Sequence, residues 1–132
     1  MRIIIDTNVL ISAILFPNSQ PSNVIEKVSM SHKLVLCSHI IEELHEIFDR
    51  KFKDKKSLLE KFLVKLSYEY IYSPTDIDEN DYPEIRDKDD LPILVTAILE
   101  DVDIIITGDK DFICLEIDKP EIMTPREFVE KY

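Results

Sequence analysis

RIIIDTNVLISAIL, residues 2–15, decides how the rest of the chain is read. Three consecutive isoleucines bounded by a polar turn predict a short strand, Arg2 to Ile5, buried on both faces, and Val9 to Leu15 then continues as a helix. A strand with no alternation of apolar and polar residues belongs inside a parallel sheet covered by helices. Asp6 therefore falls at the carboxyl end of a buried strand.

The same unit recurs along the chain. Leu34 to Cys37 is a second apolar run, followed by Ser38 as a candidate N-cap and by a helix with Ile40, Ile41, Leu44, Ile47, Phe48 and Phe52 on one face. A further amphipathic helix is expected from about Ser57 to Tyr68, with Leu58, Leu59, Phe62, Leu63 and Leu66 at helical spacing. The strand Tyr70 to Ser73 follows and ends at Pro74. Pro92 to Leu99 reads as a helix, Asp103 to Thr107 as another buried strand, and Ile122 to Thr124 as the last strand. Thr124, Pro125 and Glu127 form a capping-box pattern that opens a final helix. Strands alternating with helices predict an α/β fold with a mainly parallel sheet, whose ligands bind beyond the carboxyl ends of the strands. The polar stretch Thr75 to Asp90 is the one sizeable loop, and no internal repeat is present.

Composition narrows the class. The 132 residues suit one domain, 1–132, with 45% hydrophobic and 33% charged residues, which excludes wholesale disorder. A net charge of −11 argues against a surface that binds polyanions everywhere, so any nucleic-acid site must be local. Cys37 and Cys114 lie in apolar stretches and are expected to be free, buried thiols of a reducing cytosol, hence a cytoplasmic protein. The apolar stretch Ile3 to Phe16 is interrupted by Asp6, Thr7, Asn8 and Ser12 and has no basic leader, so neither a signal peptide nor a membrane span is expected there. A single glycine rules out a dinucleotide fingerprint and a P-loop. His32, His39 and His45 lack metalloprotease spacing and read as surface or helix-edge residues, and no nucleophile elbow occurs.

Four acids remain at element boundaries: Asp6, Glu43, Asp90 and Asp109. Each has a plain structural reading. Asp6 can begin a turn or cap the next helix. Glu42 and Glu46 point opposite the Leu44 and Ile47 stripe, whereas Glu43 lies on its margin and can reach an interior site. Asp90, before Leu91 and Pro92, is a candidate N-cap, and its neighbours Asp87 and Asp89 leave the choice within that loop open. Gly108 suggests a turn that other residues adopt poorly, beside Asp109 and a second candidate, Asp111.

Gathered acids must be neutralised. Two carboxylates about 4 Å apart repel by roughly 4 kcal/mol at an effective dielectric of about 20, and a hard cation removes that cost. All-oxygen ligation favours Mg²⁺ or Mn²⁺, which would activate a water for attack on a phosphodiester.

Taken in order, IIIDTNVLISAIL, SHIIEELHEIFDRKF, RDKDDLPILVTAILEDVDIIITGDKDF and IMTPREFVEKY resemble the PIN-domain nucleases, specifically the VapC-like toxins of toxin–antitoxin systems. The resemblance covers nearly the whole chain. It implies a three-layer α/β/α sandwich, divalent-metal catalysis and cleavage of RNA. By position it implies Asp6, Glu43, Asp90 and Asp109 as catalytic and metal-binding acids, Asn8 and Thr107 as residues that arrange the site, and Asp111 as an additional acid. An antitoxin protein and a second copy of the chain are the implied partners. RNA needs cations, and Arg50 to Lys65 carries seven basic residues against two acids, so Arg50, Lys51, Lys53, Lys55 and Lys56 are RNA-binding candidates. They equally suit a solvated helix surface. Two other functions compete. One is a PIN-like module that binds RNA or a partner without cutting. The other is a phosphoacceptor domain, which needs adjoining acids after the first strand and a lysine after the last, and DTN and IMTPRE supply neither.

Overall fold

Ile3, Ile4 and Ile5 of β1 (Arg2–Ile5) are all 0% exposed. Consecutive strand side chains point to opposite faces, so both faces of β1 are covered. The computed structural model, which describes residues 1–132, continues with α1 (Thr7–Leu15), α2 (Gln20–Ser31), β2 (Lys33–Cys37), α3 (Ser38–Lys51), α4 (Lys56–Lys65) and β3 (Glu69–Ile71). Then come α5 (Leu91–Leu99), β4 (Ile104–Ile106), α6 (Lys110–Ile113), β5 (Glu121–Met123) and α7 (Pro125–Lys131). Three 3-10 turns, at Lys53–Lys55, Glu79–Asp81 and Lys88–Asp90, complete the path.

All five strands are parallel, in the order β3-β2-β1-β4-β5. The chain builds outward from β1 to β3 on one side, then returns to lay β4 and β5 on the other. That reversal lies between β1 and β4, where crevices open beyond the carboxyl ends of the strands of such sheets. Their register pairs Ile3 with Ile104, Ile4 with Ile105 and Ile5 with Ile106. Asp6 donates its N–H to the Ile106 carbonyl at 2.9 Å, which carries the ladder one step past β1. The three-layer α/β/α sandwich with a parallel sheet is thus the observed fold. No helix is long and apolar enough to cross a membrane.

At the amino ends of the strands Arg2 acts as a clasp. Its guanidinium pairs with Glu69 and Glu100 and donates to the Glu100 carbonyl, while its N–H donates to Asp103 at 2.8 Å. These contacts join β1 to β3 and to the chain entering β4, at the end of the sheet away from Asp6.

Several boundaries differ from the sequence reading. That reading does not anticipate α2, although Ser19 caps it, Pro21 stands in its first turn, and Val24, Ile25 and Val28 are buried at helical spacing. Ser38 is not an N-cap: Cys37 holds that position without a side-chain bond, and the Ser38 hydroxyl accepts from Ser73 N at 2.8 Å instead. The helix predicted to reach Tyr68 ends at Lys65, and Leu58 points to solvent while Leu59 is buried. The Thr124 capping box is present as predicted. Cys37 is a free buried thiol, but Cys114 is exposed just after α6, because that helix is a single turn and buries Phe112 instead.

One contiguous cluster of buried apolar side chains forms the core, and Ile4, on the central strand β1, is a fully buried member of it. Replacing Ile4 by Ala is expected to cost about 2–5 kcal/mol. Urea denaturation checks this: the midpoint falls with an unchanged slope, and a loss below about 1 kcal/mol contradicts the assignment of β1 as the central strand.

Candidate metal centre

β1 and β4 end side by side, so the residues just beyond the two strands are juxtaposed. Asp6 is buried and caps α1: its Oδ1 accepts from Thr7 N at 2.8 Å. Its Oδ2 accepts from the hydroxyl of Thr107, also buried, at 2.8 Å. The same hydroxyl accepts from Asp109 N at 3.0 Å, and Asp109 Oδ1 in turn accepts from Asp111 N at 2.9 Å, capping α6. A chain of hydrogen bonds therefore runs from Asp6 through Thr107 to Asp109 and Asp111. Burial raises the Asp6 pKa, with the Thr107 and Thr7 bonds pulling against it and the Asp109 charge adding to it.

Glu43 arrives from α3. It is half-buried while Glu42 and Glu46 are exposed, as the helical phase predicts. Thr7 Oγ1 donates to its Oε1 at 3.0 Å, which ties α3 to the first turn of α1. Burial raises the Glu43 pKa, opposed by the Thr7 bond and by His39, whose Nε2 lies 3.4 Å from Oε1 one helical turn earlier. That nitrogen is buried and in no hydrogen bond.

Asp90 comes from the long loop. It is buried, but no side-chain bond caps α5; its backbone is already helical, continuing the Lys88–Asp90 turn into Leu91. The cap of that turn is Asp87, whose Oδ1 accepts from Asp89 N at 3.0 Å. Asp90 Oδ2 is buried without any partner. Its pKa is pushed up to about 8 by burial, then by a carboxyl–carboxyl hydrogen bond to Asp109 and by the charges of Asp6, Asp109 and Asp87.

The tightest group of acids is not the predicted quartet. Ligand oxygens of Asp87, Asp90 and Asp111 lie within 4.8 Å of one another. The charges of Asp6 and Asp109 act on Asp90, and that of Asp6 acts on Glu43. Asp6 has both oxygens engaged, by Thr7 N and the Thr107 hydroxyl, and Asp109 has one engaged by Asp111 N, whereas Asp90 keeps one free. An orphaned buried carboxylate oxygen among further acids and no sulfur ligand fits a hard divalent cation.

Other predicted residues sit nearby. Asn8 is exposed beside Gly108 and Asp109 on a shallow recess and supplies none of the bonds that hold Asp6. Gly108 does not have a positive φ, and a Cβ there would meet nothing within 4 Å, so the turn does not require glycine. Arg50 lines a recess of about 440 Å³ with His39, Glu43, Glu46, Ile47 and Asp89. Arg50 pairs with Glu46 and Lys56 with Asp49, while Lys51, Lys53 and Lys55 are exposed. Three residues at the site are not marked as part of it by sequence: Thr7, His39 and Arg86. His39 stands four residues before Glu43 on a helix, a spacing that makes it a neighbour. Arg86 places Nε 2.9 Å from Asp111 Oδ1.

With this geometry in view, the model of the family described as PIN domain matches residues 2–111. The chain belongs to the PIN domain family. Its members are generally nucleases and generally use divalent metals. An uncharacterized protein of Methanocaldococcus jannaschii is 29% identical over 150 residues, covering all of this chain and 92% of that one. A chain in the crystal structure of VapBC2 from Rickettsia felis, bound to a DNA fragment from their promoter, has the same fold, with a TM-score of 0.69. It is 21% identical, over 93% of this chain and 97% of that one.

Raised carboxyl pKa values have a signed consequence. Between the ordinary carboxylate range and about 8, folded Asp90 binds a proton that the unfolded chain has released, so stability falls as pH rises through that window. Asp6 and Glu43 act in the same direction. In EDTA the melting temperature is expected to fall from pH 5 to pH 8, and Asp90→Asn is expected to flatten that slope. Mn²⁺ at 100 times its Kd adds about 2.7 kcal/mol, and at one fixed Mn²⁺ concentration the gain is larger at pH 8 than at pH 5. A melting temperature indifferent to Mn²⁺ at both pH values contradicts the centre.

Proposed function

We propose that this protein is a divalent-metal-dependent endoribonuclease that hydrolyses RNA phosphodiester bonds as the toxin of a toxin–antitoxin pair. One observation carries the reading: the free, buried Oδ2 of Asp90, surrounded by Asp87, Asp111, Asp109 and Asp6 at the reversal point of a parallel sheet. Membership of a family of nucleases supports it, as does the fold shared with a chain of VapBC2.

Asp6, Glu43, Asp90 and Asp109 would hold Mg²⁺ or Mn²⁺, with Asp87 or Asp111 completing the set. When bound, the ion supplies Lewis acidity toward a phosphodiester oxygen and lowers the pKa of a water. The protein's own groups do the positioning. Thr107 and Thr7 fix both oxygens of Asp6, so its carboxylate is oriented before substrate arrives. Glu43, kept basic by its raised pKa, accepts a proton from the attacking water. Attack by water leaves a 5′-phosphate and a 3′-hydroxyl, because no 2′-hydroxyl nucleophile is needed. The strong net negative charge suits a basic antitoxin segment as partner in the cytoplasm. A second copy would pair through α4, where Leu58 and Val64 are exposed.

Purified protein with single-stranded RNA and Mg²⁺ or Mn²⁺ is expected to yield 5′-phosphorylated fragments, and EDTA to abolish them. Asp6→Asn is expected to lower the rate by about 10²-fold or more, and Thr107→Val by about 10–100-fold with the fold retained. Cleavage that survives EDTA or Asp6→Asn sinks the proposal. RNA bound but never cut by the wild type points instead to the non-catalytic module.

A further inference from the structure

We propose that the cavity walled by Glu84, Arg86, Lys110, Asp111, Cys114 and Leu115 is a nucleotide subsite, in which Arg86 and Lys110 hold an RNA phosphate that flanks the scissile one. The inference rests on the ribonuclease reading. Two facts locate it. Asp111 belongs both to this cavity and to the tight group of acids, so the cavity opens directly beside the metal centre. Its volume, about 510 Å³, falls in the range of small-ligand sites.

Charge explains why these two side chains matter. A chain of net charge −11 must offer cations to a polyanion at the site itself. Of the cations near the acids, Arg50 pairs with Glu46 and Lys88 with Glu79. Lys110, between Asp109 and Asp111, joins no ion pair. Arg86 contacts Asp111 through Nε at 2.9 Å and a terminal nitrogen at 3.4 Å, and its side chain is otherwise 87% exposed. A guanidinium has five N–H donors, so several remain for a phosphate. Leu115 and the Cys114 side chain give an apolar surface for a ribose or base, and Glu84 offers an acceptor to a hydroxyl or amino group.

Cys114 makes the subsite measurable. It is the exposed thiol, whereas Cys37 is buried, so a thiol reagent reads the cavity alone in the folded protein. The experiment uses the Asp6→Asn chain in Mg²⁺ with a short single-stranded RNA of mixed sequence. RNA is expected to slow Cys114 modification several-fold. Adding Arg86→Gln and Lys110→Gln is expected to abolish that protection and to lower the slope of log K against log salt by about 0.7, the value for the one phosphate that the two side chains hold on a single strand. Lys33→Gln, at the amino end of β2 and so at the opposite end of the strands from the site, serves as the single-charge control and is expected to leave both readouts unchanged. Equal Cys114 reactivity with and without bound RNA, or a slope indifferent to Arg86 and Lys110, overturns the subsite even if the wild type cuts RNA. No RNA binding at all overturns it as well. A wild type that binds RNA at this cavity yet cuts none leaves the subsite standing and removes only the nuclease.

Discussion

The pairing of β1 with β4 is the constraint on which the site depends. Ile3, Ile4 and Ile5 are locked in register with Ile104, Ile105 and Ile106, and slipping that register would break the ladder bonds and disturb the packed interior. Fixed register brings Asp6 and Thr107 level at the ends of adjacent strands. One 2.8 Å hydrogen bond then joins them, and the Thr107 hydroxyl passes the arrangement on to Asp109. The apolar core thus sets the positions of polar groups that would otherwise repel each other.

Repulsion is the other half of the design. Burial acts against charge on Asp6, Glu43 and Asp90 alike, and Asp90 has the strongest shift because the Asp109 carboxyl and the charges of Asp6 and Asp87 add to its burial. Protonation relieves the strain at one oxygen. A divalent cation relieves it at several, which is why an acid cluster unfavourable by itself becomes a site of chemistry. Arg86, fixed to Asp111 at the rim, shows that the protein also places some positive charge there itself.

Most strands and the main helices were legible in the sequence, because isoleucine runs and helical stripes reflect burial directly. Glu43 was legible for the same reason: helical phase separates it from Glu42 and Glu46. The expectations that failed concern local roles. Asp90 holds the N-cap position of α5 as expected, yet its side chain makes no cap bond, because its backbone continues a 3-10 turn that Asp87 caps. Gly108 looks like a special turn, yet the Thr107 hydroxyl holds an ordinary backbone there. Cys114 looks buried among apolar neighbours, but a single turn of helix has only one inward face, and Phe112 occupies it.

The sequence by itself determined the alternation of strands and helices, the acids at their boundaries and the strong negative charge, since all of these are properties of residue type and spacing. Tertiary structure alone decided which acids meet. Asp87, Asp90 and Asp111 form the closest group, and Thr7 and His39 become partners of Glu43, because oxygens from four distant segments converge only after the order of the parallel strands reverses between β1 and β4. Spacing along a chain carries no information about which lone pair is left without a partner. Packing decides that.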